Sequence, residues 1–232
     1  MSISKFQFHG NLTDFIKLPN GQSIVSYEFT GNPSIKVAIE AIGVPHPEVQ
    51  EVTCNGNTLS LADTMKNSAL IQVYPFTRIE NVALKFILDV HLGKLARWLR
   101  LLGFDVFYEN HYSDKDIIKI IQKEQRIVLT RDIGLLKIKT VVTGYWLRSQ
   151  DPKKQLAEIM ERFQLKSHVK PFTRCPLCNG LLQRVKKKQV AYLLPPISGL
   201  FFDEIYQCED CQKLYWKGSH YERMLQQWQG IF

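Results

Sequence analysis

The chain has 232 residues with a formal net charge of +8, and 45% of its residues are hydrophobic. That is enough apolar material for real cores, and room for one large domain or two to three small ones. No run is long and apolar enough to span a membrane, and MSISKFQFHG lacks the layout of a signal peptide, so a cytoplasmic protein without a membrane partner is expected.

The charge is unevenly spread. Residues 1–80 carry five Lys/Arg against seven Asp/Glu, residues 81–165 carry fifteen against ten, and residues 166–232 carry ten against five. The basic excess lies wholly in the last two thirds, which favours an anionic partner there, nucleic acid being the commonest.

In chain order, residues 3–8 alternate as a strand should, and Leu18-Pro19-Asn20-Gly21-Gln22 is a turn signal. Ile24 to Thr30 alternates again. After Pro33, Ile35, Ala38, Ile39 and Ile42 share one helical face, closed by Gly43. Strand residues Val49 to Cys54 lead into an Asn55-Gly56 turn, and a last strand, Ala69 to Tyr74, stops at Pro75. Two strands, a helix and further strands is the order of a small β-grasp domain. IGVPHPEVQEVTCNG resembles the ubiquitin-like fold, in particular small sulfur-carrier proteins and the ubiquitin-like modules fused to bacterial nucleases. Such carriers end in a free Gly-Gly, whereas this chain continues through Tyr74-Pro75-Phe76. An accessory module that docks a protein partner is therefore expected, and Cys54 reads as a small buried apolar residue.

The stretch LKFILDVHLGKLARWLRLLG, residues 84–103, organises the middle of the chain. Leu84 to Leu88 reads as a strand delivering Asp89. At one hundred degrees per residue, Leu92, Leu95, Ala96, Trp98, Leu99 and Leu102 then share one arc. Lys94, Arg97 and Arg100 fall opposite, with Leu101 out of pattern among them. An acid at a strand end can hold a metal ion, and cations beside it can hold a polyanion; an ordinary surface helix after a solvated Asp is the plain alternative.

Phe104 to Tyr108 reads as a second strand, followed by a helix over DKDIIKIIQKE with Ser113 or Asp114 near its N-cap. Ile127 to Leu129 runs into Thr130-Arg131-Asp132, a further helical turn starts at Ile133, and Val141 and Val142 suggest a fourth strand. Strand–helix repetition argues for a parallel sheet whose ligands gather at the C-terminal strand ends. Asp89, Asp114 and Asp132 would converge there on Mg²⁺ or Mn²⁺. Asp116 is a fourth candidate acid, with helix-start stabilisation as its alternative role. Asp105 and Glu124 read as ordinary surface charges, and Arg131 as either a phosphate contact or an Asp132 partner. No phosphate-binding glycine loop, dinucleotide fingerprint or G-x-S-x-G elbow follows any strand. Metal-assisted phosphodiester hydrolysis remains.

Residues 148–170 read as a helix capped near Asp151-Pro152 and then a linker. Two C-x-x-C pairs follow, Cys175/Cys178 and Cys208/Cys211, the donor set of a structural Zn²⁺ site. The basic run Arg184 to Lys188, with Tyr192, Tyr215, Trp216 and Lys217, suits contacts to RNA. The insert VKKKQVAYLLPPISGLFF, with its Pro-Pro and apolar residues, suits a hairpin arm or a docking surface, and His220 suits a phosphate contact or a cap.

LDVHLGKLARWLRLLGFDVFY, DKDIIKIIQKEQRIVLTRD and YWKGSHYERM resemble the Mut-seven C-terminal ribonuclease family, a PIN-like nuclease domain with a zinc ribbon, preceded in some bacterial members by a ubiquitin-like domain. The resemblance implies a ubiquitin-like β-grasp domain over 1–80, a PIN-like α/β nuclease domain with a parallel sheet over 81–165, and a zinc ribbon over 166–232. It implies a metal-dependent ribonuclease using Asp89, Asp114 and Asp132, with Asp116 in support. Lys94, Arg97, Arg100 and Arg131 would hold RNA, and Cys175, Cys178, Cys208 and Cys211 would hold zinc. A non-catalytic RNA-binding adaptor, recruiting partners through its ubiquitin-like domain, is the rival expectation.

Overall fold

The computed structural model describes residues 1–16, 23–77, 82–194 and 204–218, together with 221, 222, 226 and 228. The turn expected at Leu18–Gln22, the Pro195–Phe202 part of the insert, and His220 lie outside the described residues.

The first 77 residues build a five-stranded sheet from β1 (Ser2–Phe8), β2 (Ile24–Phe29), β3 (Val49–Cys54), β4 (Asn57–Leu59) and β5 (Leu70–Pro75), in the order β2-β1-β5-β3-β4. β1 and β5 run parallel, and the other pairs are antiparallel. One helix, α1 (Ile35–Ile42), crosses the sheet; Ser34 caps its start, and the Gly43 amide closes it on the Ile39 carbonyl. The period-two pattern of β1 sends Phe6 and Phe8 inward against Ile35, Ala38 and Ile39 of α1, which is the β-grasp arrangement. Cys54 at the end of β3 is half-exposed rather than buried, because the Asn55-Gly56 turn follows it at the rim of the sheet.

The middle of the chain forms a parallel sheet of β6 (Lys85–Leu88), β7 (Asp105–Phe107), β8 (Ile127–Thr130) and β9 (Gly144–Trp146), ordered β7-β6-β8-β9. Both faces are covered. α2 (Gly93–Leu101) and α5 (Pro152–Arg162) bury Leu95, Leu99, Leu156 and Ile159 on one side. α3 (Asp114–Lys123) and α4 (Ile133–Lys137) bury Ile117, Leu135 and Leu136 on the other. The fourth strand lies three residues later than expected. Val141 is taken into the core below α4, Val142 is 82% exposed, and Gly144 begins the ladder.

The last module is a three-stranded antiparallel sheet of β10 (Leu182–Val185), β11 (Ile205–Cys208) and β12 (Leu214–Trp216), with a short helix α6 (Lys187–Val190). Among the described residues no helix is long and apolar enough to cross a membrane.

Candidate active site and metal centre

The parallel sheet changes strand order between β6 and β8, which are direct neighbours with Leu88 opposite Leu129. One connection from this pair leaves toward β7 and the other toward β9, so a crevice opens beyond their C-terminal ends, the usual ligand position in open α/β sheets. Asp89 and the Thr130-Arg131-Asp132 turn lie there, one residue beyond Leu88 and Leu129 respectively.

Each acid is fixed by local backbone chemistry. Asp89 caps the turn that leads into α2, its Oδ1 accepting from the His91 amide at 2.9 Å. Its Oδ2 accepts from the Thr130 hydroxyl and, at 3.1 Å, from the Arg131 amide. The Thr130 oxygen in turn accepts from the Asp132 amide at 2.8 Å. Asp132 caps α4, with Oδ1 accepting from the Gly134 amide at 2.7 Å. An ionised carboxylate has about four acceptor positions. Asp89 has therefore committed most of its capacity to orientation, whereas exposed Asp132 retains most of its own. Thr130 joins the two acids, a role that sequence reasoning did not assign, although the residue sits inside the LTRD motif.

Asp114 is exposed at the first position of α3. Among the described residues, only the four cysteines form a group of three or more potential metal-binding side chains with ligand atoms mutually close. The structure thus brings Asp89 and Asp132 to one crevice through Thr130 but does not close a compact three-carboxylate cluster. Asp116 is engaged at the helix start, the alternative role expected of it. Its Oδ2 accepts from the Ser113 amide and hydroxyl at 3.1 and 2.7 Å, forming a capping box whose hydrogen bonds hold its carboxyl below the usual range.

Two of the three cations on α2 are placed as expected. Lys94 and Arg97 are exposed, with the Lys94 ammonium 5.1 Å from the Trp98 ring centre. Arg100 is not on that face. It is 4% exposed, and its Nε, Nη1 and Nη2 donate to the carbonyls of Val106, Leu177 and Tyr108 at 3.0, 2.6 and 3.1 Å. The first cysteine knuckle packs over this end of α2, so the guanidinium ties the two modules together and does not face solvent as expected. Burial lowers its pKa, while Glu109 and the Cys175 and Cys178 thiols oppose that shift. Arg131 is half-buried, and its Nη1 is buried without a hydrogen-bond partner. Gly93, at the start of α2, is required by close approach: a Cβ there would meet the Tyr108 hydroxyl at 2.6 Å, and that hydroxyl donates to the Val90 carbonyl beside Asp89.

The four cysteine sulfurs all lie within 4.8 Å of one another. Cys175 and Cys211 are 3.6 Å apart, and Cys178 and Cys208 are 3.4 Å apart. A tetrahedral zinc with Zn–S bonds of about 2.3 Å requires S–S edges of roughly 3.8 Å, so the donor set and its spacing fit. The Tyr215 hydroxyl lies 3.0 Å from Cys175 Sγ. Burial pushes the Cys175 thiol up, but Tyr215 and the Cys178 and Leu177 amides outweigh it and bring it down to about 7. Gly180 is needed beside the pairs, since a Cβ there would sit 2.9 Å from Cys208 Sγ.

Asp105 is no ordinary surface charge. Its Oδ1 accepts from Arg126 and Asn179, each at 2.9 Å, and Arg174 stands 3.4 Å from Oδ2. Glu124 also joins this group, 3.1 Å from Arg126 Nη2. In the basic run, Arg184 faces Glu204 at 3.5 Å, as Lys217 does at 3.0 Å, while Tyr192 is exposed.

Comparison with known proteins gives two family matches. The Mut7-C RNAse domain matches residues 84–228, and the Mut7-C ubiquitin model matches residues 1–80. Among solved structures, the small archaeal modifier protein 1 of H. volcanii is 11% identical, covering 32% of this chain and 98% of its own, with a TM-score of 0.25. A second structure, of SAMP1 from Haloferax volcanii, is 10% identical over 34% of this chain and 99% of its own, also at 0.25. No curated protein matches the chain.

Proposed function

Because the chain belongs to the Mut7-C RNAse domain family, we propose that it is a metal-dependent ribonuclease acting at the crevice between β6 and β8. The observation that carries this reading is the Asp89–Thr130–Asp132 linkage at the point where the strand order reverses. Asp132 and the remaining acceptor position of Asp89 would hold a hydrated Mg²⁺ or Mn²⁺, ions that keep several waters and need only one or two carboxylates besides the substrate phosphate. Such an ion lowers the pKa of a bound water and polarises the phosphoryl oxygens. Asp114, on the neighbouring helix start, would supply a third, more distant carboxylate.

Lys94 and Arg97, one helical turn apart on the exposed side of α2, would hold successive phosphates of a single strand. Half-buried Arg131, beside Asp132, would add further positive charge to that track. Arg100 is left out of this role, its donors being already engaged. Zinc at the four cysteines would fix the ribbon, and exposed Tyr192 with the Lys186–Lys188 run would extend the RNA track by stacking and charge.

Labelled single-stranded RNA incubated with the purified protein and Mn²⁺ or Mg²⁺ tests the proposal. Wild type is expected to cleave, chelation to stop cleavage, and added Mn²⁺ to restore it. Asp132→Asn should lower turnover roughly 100-fold or more while leaving RNA binding near wild type. Equal binding by both proteins with no cleavage of any RNA would replace the nuclease with an RNA-binding adaptor.

A further inference from the structure

Asp132 stands between two residues tied to the ubiquitin-like domain, one through Trp146 and one directly. On one side is Arg131, whose carbonyl accepts from the Trp146 indole Nε1 at 3.1 Å. On the other is Ile133, which packs against the core of the ubiquitin-like domain, as Trp146 does. Trp146 ends β9, directly opposite Thr130. Its amide donates to Glu48 Oε1 at 2.7 Å, and its ring lies 5.0 Å from that of Phe15. Glu48 and Phe15 both belong to the ubiquitin-like domain. The far end of α4 is tied to the same domain, with Lys137 Nζ donating to the Glu40 carbonyl at 2.7 Å.

Glu48 is an expensive residue for mere adhesion. It is 0% exposed, and burial raises its carboxyl pKa although the Trp146 amide and the Arg148 and Arg162 guanidiniums pull it down. A flat apolar contact would hold two domains together at lower cost. What the carboxylate adds is direction, because it fixes the Trp146 backbone and so the line along which the indole reaches Arg131. Arg148, the next residue but one, is held in the same way by Asp14 Oδ2 at 2.7 Å and the Asn11 carbonyl at 3.3 Å.

We propose that the ubiquitin-like domain acts in cis as a positioning element for the acidic turn: Glu48 and Phe15 seat Trp146, and Trp146 holds the Arg131 carbonyl so that Asp132 keeps its place beside Asp89. Trp146 is a positioning residue and touches no substrate. The catalytic consequence rests on the proposed nuclease reading, but the structural one does not. The first is the placement of Asp132 for turnover, and the second is the rigidity of residues 131–134.

The experiment is amide hydrogen exchange on the full chain, run beside RNA cleavage kinetics, for wild type, Trp146→Phe, Glu48→Gln and Glu48→Leu. Phenylalanine keeps a ring against Phe15 but removes the indole donor. Exchange at residues 131–134 is expected to rise roughly fivefold in Trp146→Phe, the worth of one neutral hydrogen bond, while exchange in β1–β5 and β10–β12 stays at the wild-type rate. Glutamine retains the acceptor for the Trp146 amide and should preserve the protection that leucine loses. In the kinetics, Trp146→Phe should lower kcat with KM for RNA unchanged. Unchanged exchange at 131–134 in Trp146→Phe overturns the proposal, as does a uniform rise across all three modules. If wild type cleaves no RNA, the nuclease reading fails alone, and the exchange result still decides this one.

Discussion

The central sheet is joined to its two neighbours by seams of opposite character. Toward the ribbon, every donor of the buried Arg100 head that faces the seam reaches a carbonyl, and Asp105 accepts from both Arg126 and Asn179. Toward the ubiquitin-like domain, Glu48 has one oxygen on the Trp146 amide. The other is without a hydrogen bond, 3.6 Å from Arg162 and 3.9 Å from Arg148. Arg162 donates through Nη1 to the Phe76 carbonyl, yet its Nε and Nη2 are buried with no hydrogen bond, Nη2 keeping only its ion-pair contact with Glu48. A cavity of about 380 Å³ lined by Asn11, Phe76, Glu158 and Arg162 lies alongside. Apart from Arg126 Nε, which is buried without a hydrogen bond, the first seam is a satisfied network, whereas the second holds charges by Coulomb attraction at separations that leave room for bridging water. A satisfied seam fails only when its elements unfold, while the other is sensitive to each charge in it.

The largest effect should come from breaking the ribbon seam through the zinc proposed for its four cysteines. Leu177 and Asn179, which meet Arg100, Val106 and Asp105, belong to the first cysteine knuckle. Structural zinc sites carry on the order of 10–16 kcal/mol of apparent binding energy. Chelation is therefore expected to unfold the ribbon and to raise amide exchange at Val106 by orders of magnitude. The Trp146 amide, on the opposite seam, should keep its protection. Equal loss at both amides would mean that the two seams are one cooperative unit.

A smaller but still large effect is expected at the other seam. Glu48→Ala leaves Arg162 buried without its anion and should destabilise the protein by about 3–5 kcal/mol, read as a shifted urea midpoint. A shift under about 1 kcal/mol would mean that water already satisfies those guanidinium donors.

Asp105 offers the finest comparison, through pH. Burial pushes its carboxyl up, but the Arg126 and Asn179 hydrogen bonds and the Arg126 and Arg174 charges outweigh that and hold it below the usual range. Its contribution is thus fully present above the ordinary aspartate value near pH 4 and is lost as pH falls through the lower folded value. Asp105→Asn should cost about 2 kcal/mol at pH 7, with the gap to wild type beginning to close only as pH falls below the ordinary aspartate value of about 4. Chemical denaturation of both proteins across that range measures it.

Much of this architecture was legible locally. The alternation in β1, the shared face of α1, the Ser113 cap and the apolar arc of α2 each follow from spacing within one element, and each formed where the pattern put it. The cysteine pairs announced their own cluster because C-x-x-C spacing already brings two sulfurs together. Arg100 and Asp105 were misread for one common reason. A helical projection or a strand end shows which way a side chain leaves its own backbone, but not that the knuckle at residues 175–180 will cover it. Val141 and Val142 misled similarly, since an apolar pair can feed a core from a loop as well as from a strand.

The sequence by itself determined the three modules, the order of strands and helices within them, the strand-end position of Asp89 and Asp132, and the four sulfur donors. Those are consequences of periodicity, turn chemistry and short-range spacing. Only the tertiary structure decided which charges face solvent and which are consumed at seams. It also decided that Thr130 links the two acids, and that Glu48, 98 residues before Trp146 at the end of β9, touches the strand beside them. Such contacts join residues far apart along the chain, and the pattern of neither segment carries information about the other until both are packed.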